Sequence, residues 1–116
     1  MIQRGDIYWV EPSADSPSEV RHPHVVVQDD VLNASRVDTV VACALTSNLQ
    51  KAKDPGNVLL EPGEANLARQ SVVVVSQVST VPKARLGERI GTLSGERVEQ
   101  ILAGLKFLQT SFFGDR

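Results

Sequence analysis

Arg21-His22-Pro23-His24-Val25-Val26-Val27-Gln28-Asp29-Asp30 opens on a cation, two imidazoles and a proline, runs apolar, and ends polar. Pro23 biases His22 towards extended backbone. Val25 to Val27 are β-branched and pack well on a pleated surface. The stretch therefore reads as a buried strand whose entrance carries titratable groups. A strand mouth holds side chains rigidly yet leaves them reachable, which suits a binding or reactive site. The same residue types also describe an ordinary core strand ending in solvated charges.

Outward from this strand the chain reads as a series of short strands closed by one helix. Ile7 to Val10 is β-prone and bounded by Gly5-Asp6 and Glu11-Pro12, and it predicts the first strand. Pro12 to Ser18 is a Pro/Ser loop with little to pack. Val31 to Arg36 has room for one helical turn. Thr39 to Leu45 predicts a core-crossing strand that stops at Thr46-Ser47-Asn48. Asp54-Pro55-Gly56 is a turn, followed by a strand over Asn57 to Glu61; Pro62-Gly63 and Asn66 mark another connection. Ser71 to Val78 is apolar almost throughout and predicts a strand buried on both faces. Thr80-Val81 and Leu86 to Leu93 continue the β pattern. Ser94 predicts a helix N-cap with Glu96 in the first turn. Val98, Ile101, Leu102, Leu105 and Leu108 then form one apolar stripe at helical spacing. This order predicts one mostly antiparallel small barrel with a C-terminal helix, and it argues against a doubly wound sheet.

Composition narrows the function classes. The 116 residues suffice for one hydrophobic core, and 41% apolar with 22% charged residues is typical of a soluble globular chain. No run approaches membrane-spanning length, and Met1 to Asp6 has no signal-peptide pattern. The single cysteine, Cys43, lies in an apolar run, predicting a buried structural thiol and a cytoplasmic protein. A net charge of −2 exerts no global pull on nucleic acid, so any such binding needs a local patch. Neither common Gly-rich phosphate loop nor a nucleophile elbow is present. His22 and His24 lack partners at metal-ligand spacing, so neither a metal nor another cofactor is expected.

What remains is a set of polar groups at strand ends: Arg21, His22 and His24; Thr46-Ser47-Asn48; Ser76-Gln77. Side by side they would supply a guanidinium fork and hydroxyls, a chemistry suited to a phosphodiester. Lys51, Lys53, Arg69, Lys83, Arg85 and Arg89 would add phosphate contacts if they cluster, such contacts positioning a phosphodiester chain without reading its sequence. Trp9 and Tyr8 are the upstream aromatics available for base stacking, and strand alternation buries at least one of them. Phe112 and Phe113 are expected to pack on the helix stripe or an interface.

The chain resembles the MazF/PemK toxins across almost its whole length. Arg4-Gly5-Asp6-Ile7-Tyr8-Trp9 is similar to the family's opening, and Pro23 with Val25 to Asp30 and Asn33 to its second strand. Leu45-Thr46-Ser47, Pro55-Gly56-Asn57-Val58, Ser71-Val72-Val73, Gln77-Val78-Ser79-Thr80 and Lys83-Ala84-Arg85-Leu86 follow in the family's order. The resemblance implies an SH3-like barrel of the CcdB/PemK/MazF kind, acting as a homodimer. It implies the toxin of a type II toxin–antitoxin module, an endoribonuclease that cuts single-stranded RNA at short sequences without metal, through attack of the ribose 2′-hydroxyl. It further implies inhibition by an antitoxin's C-terminal segment lying in the RNA groove. Thr46 matches the threonine expected at the scissile phosphate, and Ser47 and Gln77 match groove positions; Lys51 and Lys53 join them as RNA-binding candidates. Glu19, in Ser18-Glu19, matches a loop carboxylate that could act as base. The departure is at the family's Arg-Pro: here His22 precedes Pro23 and Arg21 lies one place earlier. Either a bulge re-aims Arg21, or His22 serves as acid–base group, or the site binds without cutting. The same fold would also serve a toxin that poisons a protein target such as a DNA topoisomerase, or a non-cutting regulator.

Overall fold

The computed structural model describes residues 1–15 and 20–113, with side chains through residue 110. Six strands form one antiparallel sheet: β1 (Asp6–Val10), β2 (His22–Val26), β3 (Thr39–Thr46), β4 (Val58–Leu59), β5 (Val72–Pro82) and β6 (Leu86–Thr92). Their spatial order is β4-β5-β3-β2-β1-β6. A one-turn helix α1 (Asp30–Asn33) follows β2, and α2 (Gly95–Phe113) closes the chain. This is the mostly β class with a C-terminal helix that the sequence predicts, although the strands stop short of a hydrogen-bonded barrel because β4 and β6 remain unpaired edges.

Strand alternation sorts the core into two parts. Ile7, Val25, Cys43, Leu45, Val73 and Val75 face the main core, which α2 caps with Ile101. Val10, Val26, Val40, Ala42 and Val81 form a smaller cluster with Tyr8 and Leu86. Ser94 caps α2, its Oγ accepting from the Arg97 N–H at 3.2 Å, as its position before an apolar stripe predicts.

The edges are bridged by the connection between β4 and β5. Its 3-10 turn, Glu64–Asn66, leans on β6: Asn66 Nδ2 donates to the Ile90 carbonyl at 3.1 Å. Gly91 permits the approach, because a Cβ there would sit 2.1 Å from the Ala65 carbonyl oxygen. Ala65 (φ 52°) and Asn66 (φ 65°) are both left-handed, a conformation costing an ordinary L residue about 1–2 kcal/mol. Arg97 holds the turn from α2, with Nε to Glu64 Oε2 at 2.9 Å and Nη2 to Oε1 at 3.1 Å. Partial burial raises the Glu64 carboxyl, and this fork with the Glu61 N–H more than offsets it, leaving Glu64 below the usual carboxylate range.

β5 departs from the expected strand buried on both faces. Val72 to Val75 are buried, whereas Ser76 to Thr80 are exposed. The cause is register: Cys43 pairs with Val78 but Leu45 with Val73, so two steps along β3 match five along β5. The three surplus residues form an extended bulge. Asn57 steadies it, with Oδ1 accepting from the Val75 N–H at 3.0 Å and Nδ2 donating to the Lys51 carbonyl at 2.9 Å. The predicted strand over Asn57 to Glu61 is accordingly only Val58–Leu59, since Asn57 is spent on the bulge. Gly56 (φ +88°) and Gly104 of α2 meet nearly backbone to backbone, a Cβ on Gly104 falling 2.1 Å from the Gly56 carbonyl oxygen.

Gly91→Ala is expected to destabilise the protein by about 3 kcal/mol or more through overpacking at Ala65. Asn57→Ala should cost about 1–3 kcal/mol by orphaning the Val75 N–H. Ala65→Gly, which relieves left-handed strain, should be neutral or gain up to about 1 kcal/mol. Urea melts on the three variants check the ranking, and a Gly91→Ala protein as stable as wild type would contradict the bridging role of the turn.

Candidate nucleic-acid interface

β2 sits between β1 and β3, and its register assigns each side chain at the strand mouth to a face. Trp9 pairs with Pro23 and Val10 with His22. On the other side His24 pairs with Ala44, and continuing that register two places sets His22 opposite Thr46. Directly opposed residues in an antiparallel pair project to the same face. His22 and Thr46 therefore share one face, and Arg21 belongs with Trp9 and Pro23. Its guanidinium lies over the Trp9 ring, Cζ 4.3 Å from the centroid, and Nη1 is 4.0 Å from a Glu11 carboxylate oxygen. No bulge turns Arg21 towards Thr46.

Two clefts of about 550 Å³ each open on either side of this line. The first is walled by Trp9, Arg21 and Pro23 on one side and by Asn66 to Arg69 on the other. The second is lined by His22, His24, Gln77, Thr80 and Arg85 among others. His22, Leu45 and Thr46 border both, so the junction of the clefts is the mouth of β2 and β3. There Thr46 Oγ1 accepts from the Asn48 N–H at 3.1 Å, which fixes the rotamer and leaves the hydroxyl proton to donate outward.

His24 is built into the floor of the second cleft. Its Nδ1 lies 3.2 Å from the His22 carbonyl, an acceptor, so Nδ1 carries the proton and Nε2 is left with a lone pair. Burial lowers the His24 pKa, more than the hydrogen bond to His22 raises it, and the ring is neutral near pH 7. Cys43 is fully buried, and burial pushes its thiol up to about 12, which makes it inert.

The structure gathers the candidates unevenly. Arg21, His22, Thr46 and Ser47 line the first cleft, and Gln77 the second. Lys51 and Lys53 stand on the 3-10 segment Leu49–Lys53 and line neither; Lys51 pairs with Asp54 at 3.9 Å. Glu19 lies outside the described residues, as do the side chains of Phe112 and Phe113. Of the remaining cations, Arg69 and Arg89 line the first cleft with Arg21, Arg85 borders the second, and Lys83 lines neither. Lys83 Nζ donates to the Asn33 and Ser35 carbonyls, and Arg85 Nε to the Glu11 carbonyl. Asn66 and Glu88, which also border the first cleft, carry no sequence signal beyond a turn and an exposed strand position.

Hydroxyls, imidazoles and a guanidinium gathered at the mouths of the central strands give this small antiparallel sheet with a C-terminal helix a polar surface of two joined clefts. The profile of the PemK-like, MazF-like toxins of type II toxin–antitoxin systems matches residues 3–108, and the chain belongs to this family. It is 38% identical over 109 residues to Endoribonuclease MazF2 of Mycobacterium bovis, covering 91% of this chain and 95% of that protein. Its fold is similar to that of an endoribonuclease from a mycobacterial species, with a TM-score of 0.75 at 20% identity over 93% of this chain and 90% of the other. It is also similar to a mycobacterial endoribonuclease solved in complex with its cognate antitoxin, with a TM-score of 0.72 at 19% identity over 93% and 92%. Among the described residues no helix is long and apolar enough to cross a membrane.

The His24 environment has a sign. The unfolded chain takes up this proton near the ordinary value of 6.5, the folded chain only at lower pH. The unfolded state therefore binds more protons in that window, and stability falls as pH drops below about 6.5. Stability measured by urea melts between about pH 7.5 and 5.5 should fall less steeply in His24→Gln than in wild type. Identical slopes would show that the ring titrates alike in both states.

Proposed function

We propose that this protein is the toxin of a type II toxin–antitoxin module and cuts single-stranded RNA through attack of a ribose 2′-hydroxyl on the adjacent phosphorus, without a metal. The observation that carries this reading is that His22 and Thr46 both border the two clefts where they meet. An RNA strand crossing the mouth of β2 and β3 would place a phosphate there and its neighbouring nucleotides in the two clefts. Thr46 holds a non-bridging oxygen through its outward hydroxyl. His22 takes the 2′-hydroxyl proton and returns a proton to the departing 5′-oxygen, leaving a 2′,3′-cyclic phosphate. Arg21 reaches the phosphate from the Trp9 side: a guanidinium stacks through its plane and donates along its edge, so it supplies charge to the phosphorane while seated on the ring. Ser47 and Gln77 contact the flanking backbone, Lys51 and Lys53 contribute as the strand leaves the clefts, and Glu19 is a further carboxylate able to act as base. The antitoxin complex of a structural neighbour and the family membership support a cognate antitoxin as partner, with its C-terminal segment in the same clefts. The working form is a homodimer in the cytoplasm, where messenger RNA and a reduced Cys43 belong together.

RNA cleavage in EDTA, mapped by primer extension, tests the reading. Wild type is expected to cut at one short motif. Thr46→Ala and His22→Ala should each lose about 100-fold or more in kcat/KM, in line with general acid–base and oxyanion contributions, and Arg21→Ala about 10- to 100-fold. If Arg21→Ala abolishes cutting while His22→Ala is nearly normal, the proton-transfer assignment is wrong. No cutting by folded, antitoxin-free wild type would sink the nuclease reading and leave a binding toxin.

A further inference from the structure

The sequence places no third ligand near His22 and His24 and so predicts no metal there, but the structure sets the two rings in one place. Both histidines lie on β2, one residue apart, and both line the second cleft. Residues i and i+2 of a strand project to the same face about 6.5 Å apart, so the two imidazoles can lean together over a common point. Pro23 between them has a fixed φ, and β2 is paired on both sides, which stiffens the backbone that carries the pair. His24 is already oriented. Its Nδ1 donates to the His22 carbonyl at 3.2 Å, and the distal nitrogen, Nε2, keeps its lone pair for the cleft that the ring lines. An N–H given to a backbone carbonyl is the arrangement that fixes tautomer and ring direction in metal-ligating histidines. Ala44, directly opposite His24 on β3, is small and leaves space beside the ring, while the exposed His22 ring can turn to meet it.

We propose that His22 and His24 form a two-imidazole clip for a borderline divalent ion of the zinc class, and that occupancy of the clip stops RNA cleavage. Imidazole nitrogen suits zinc, copper and nickel, whereas magnesium and calcium are held chiefly by carboxylate oxygens. Among the described residues no carboxylate lines this cleft, and no three His, Cys, Asp or Glu side chains gather as a metal cluster. Two protein ligands leave the other positions of the ion to water, for which a cleft of about 550 Å³ has room. Arg85 also borders the cleft, and its positive charge works against a divalent ion. Binding is therefore reversible and selected by ligand type, not by charge. Cys43, the other soft donor, is fully buried and does not compete. The consequence for the reaction follows from the ring itself. A neutral imidazole has one lone pair, and a metal on His22 leaves none to take the 2′-hydroxyl proton. This braking role rests on the nuclease reading; the clip itself does not.

Calorimetric titration of untagged, chelator-treated protein with zinc chloride tests the clip. Wild type should take up one zinc per chain, and His22→Ala and His24→Gln should each weaken binding at least about 100-fold, the upper end of what losing an outer-shell partner costs. Magnesium chloride should give no binding heat. In the cleavage assay, zinc at saturation should slow wild type about 100-fold relative to EDTA, matching the loss of its general base. His24→Gln, compared with its own rate in EDTA, should be insensitive to the same zinc concentration, which also controls for zinc on the RNA. His24→Ala repeats the comparison without an amide that could ligate. The clip is overturned if wild type binds no zinc, or if the histidine variants bind it as tightly as wild type does. The brake is overturned if zinc occupies the histidines and cutting continues unchanged, or if the His24 variants are inhibited like wild type. A wild type that binds zinc through both histidines yet cuts no RNA in EDTA upholds the clip and removes the brake together with the proposed function.

Discussion

The fold depends on how an open sheet is drawn together without a seam of strand hydrogen bonds. β4 and β6 are its edges, and the turn Glu64–Asn66 spans between them. Two left-handed L residues make the turn costly, and what offsets the cost is long-range: the Arg97–Glu64 fork from α2, the Asn66–Ile90 bond to β6, and burial of Leu67 in the main core. Closure through a turn leaves a gap that continuous strand pairing would have sealed. The first cleft is that gap, with the turn as one wall and the mouth of β1 and β2 as the other. The interaction that completes the sheet thus also shapes the space beside Thr46.

A second consequence follows from β5. Its surplus residues interrupt the pairing with β3 near Ala44, so the strand serves the main core through Val73 and Val75 and then turns Ser76 to Thr80 outward. Gln77 reaches the second cleft because it lies within this interruption. The bulge stands because Asn57 satisfies the Val75 N–H, and Asn57 is in position because Gly56 lets its loop press against Gly104. The Pro55-Gly56-Asn57-Val58 segment, which reads as a turn, is the splint for a distant strand.

This explains what was legible in the sequence. Local signals were strong where burial is one-dimensional: β2 and β3 follow from their apolar runs, and α2 from Ser94 and its stripe. The outward half of β5 was not, since four valines in a row say nothing about a register break set by a side chain 18 positions away. Nor was the wall of the first cleft, because Asn66 and Glu88 acquire meaning only through the docking of the turn on β6. The residues that make the family resemblance easy to see are largely scaffolding. The Arg4 N–H donates to Asp30 Oδ1, and Arg4 Nε to the Val27 carbonyl. Gln28 and Asn33 bond reciprocally, while Lys83 reaches the Asn33 carbonyl. Asp6, fully buried, accepts from Thr92 Oγ1 at 2.7 Å. Such a buried polar lattice needs every partner at once, which is why it reads as a strong motif while the reactive groups do not.

The displaced arginine shows how parity can redistribute roles at one site. Pairing Trp9 with Pro23 and Val10 with His22 leaves no freedom over which residue faces Thr46. A one-residue slip of β2 would move the guanidinium to that face, and it would also carry Val25 out of the main core and Val26 out of the smaller one, exchanging two fully packed faces at once. The core therefore decides the chemistry at the strand mouth. In the proposed reaction, with His22 on the Thr46 face, positive charge comes from across the strand, from the Arg21 guanidinium seated on the aromatic ring of its own face. The Trp9–Arg21 stack is in this sense the counterpart of the missing Arg-Pro, since it holds in place by a cation–π contact what adjacency to the proline would otherwise fix.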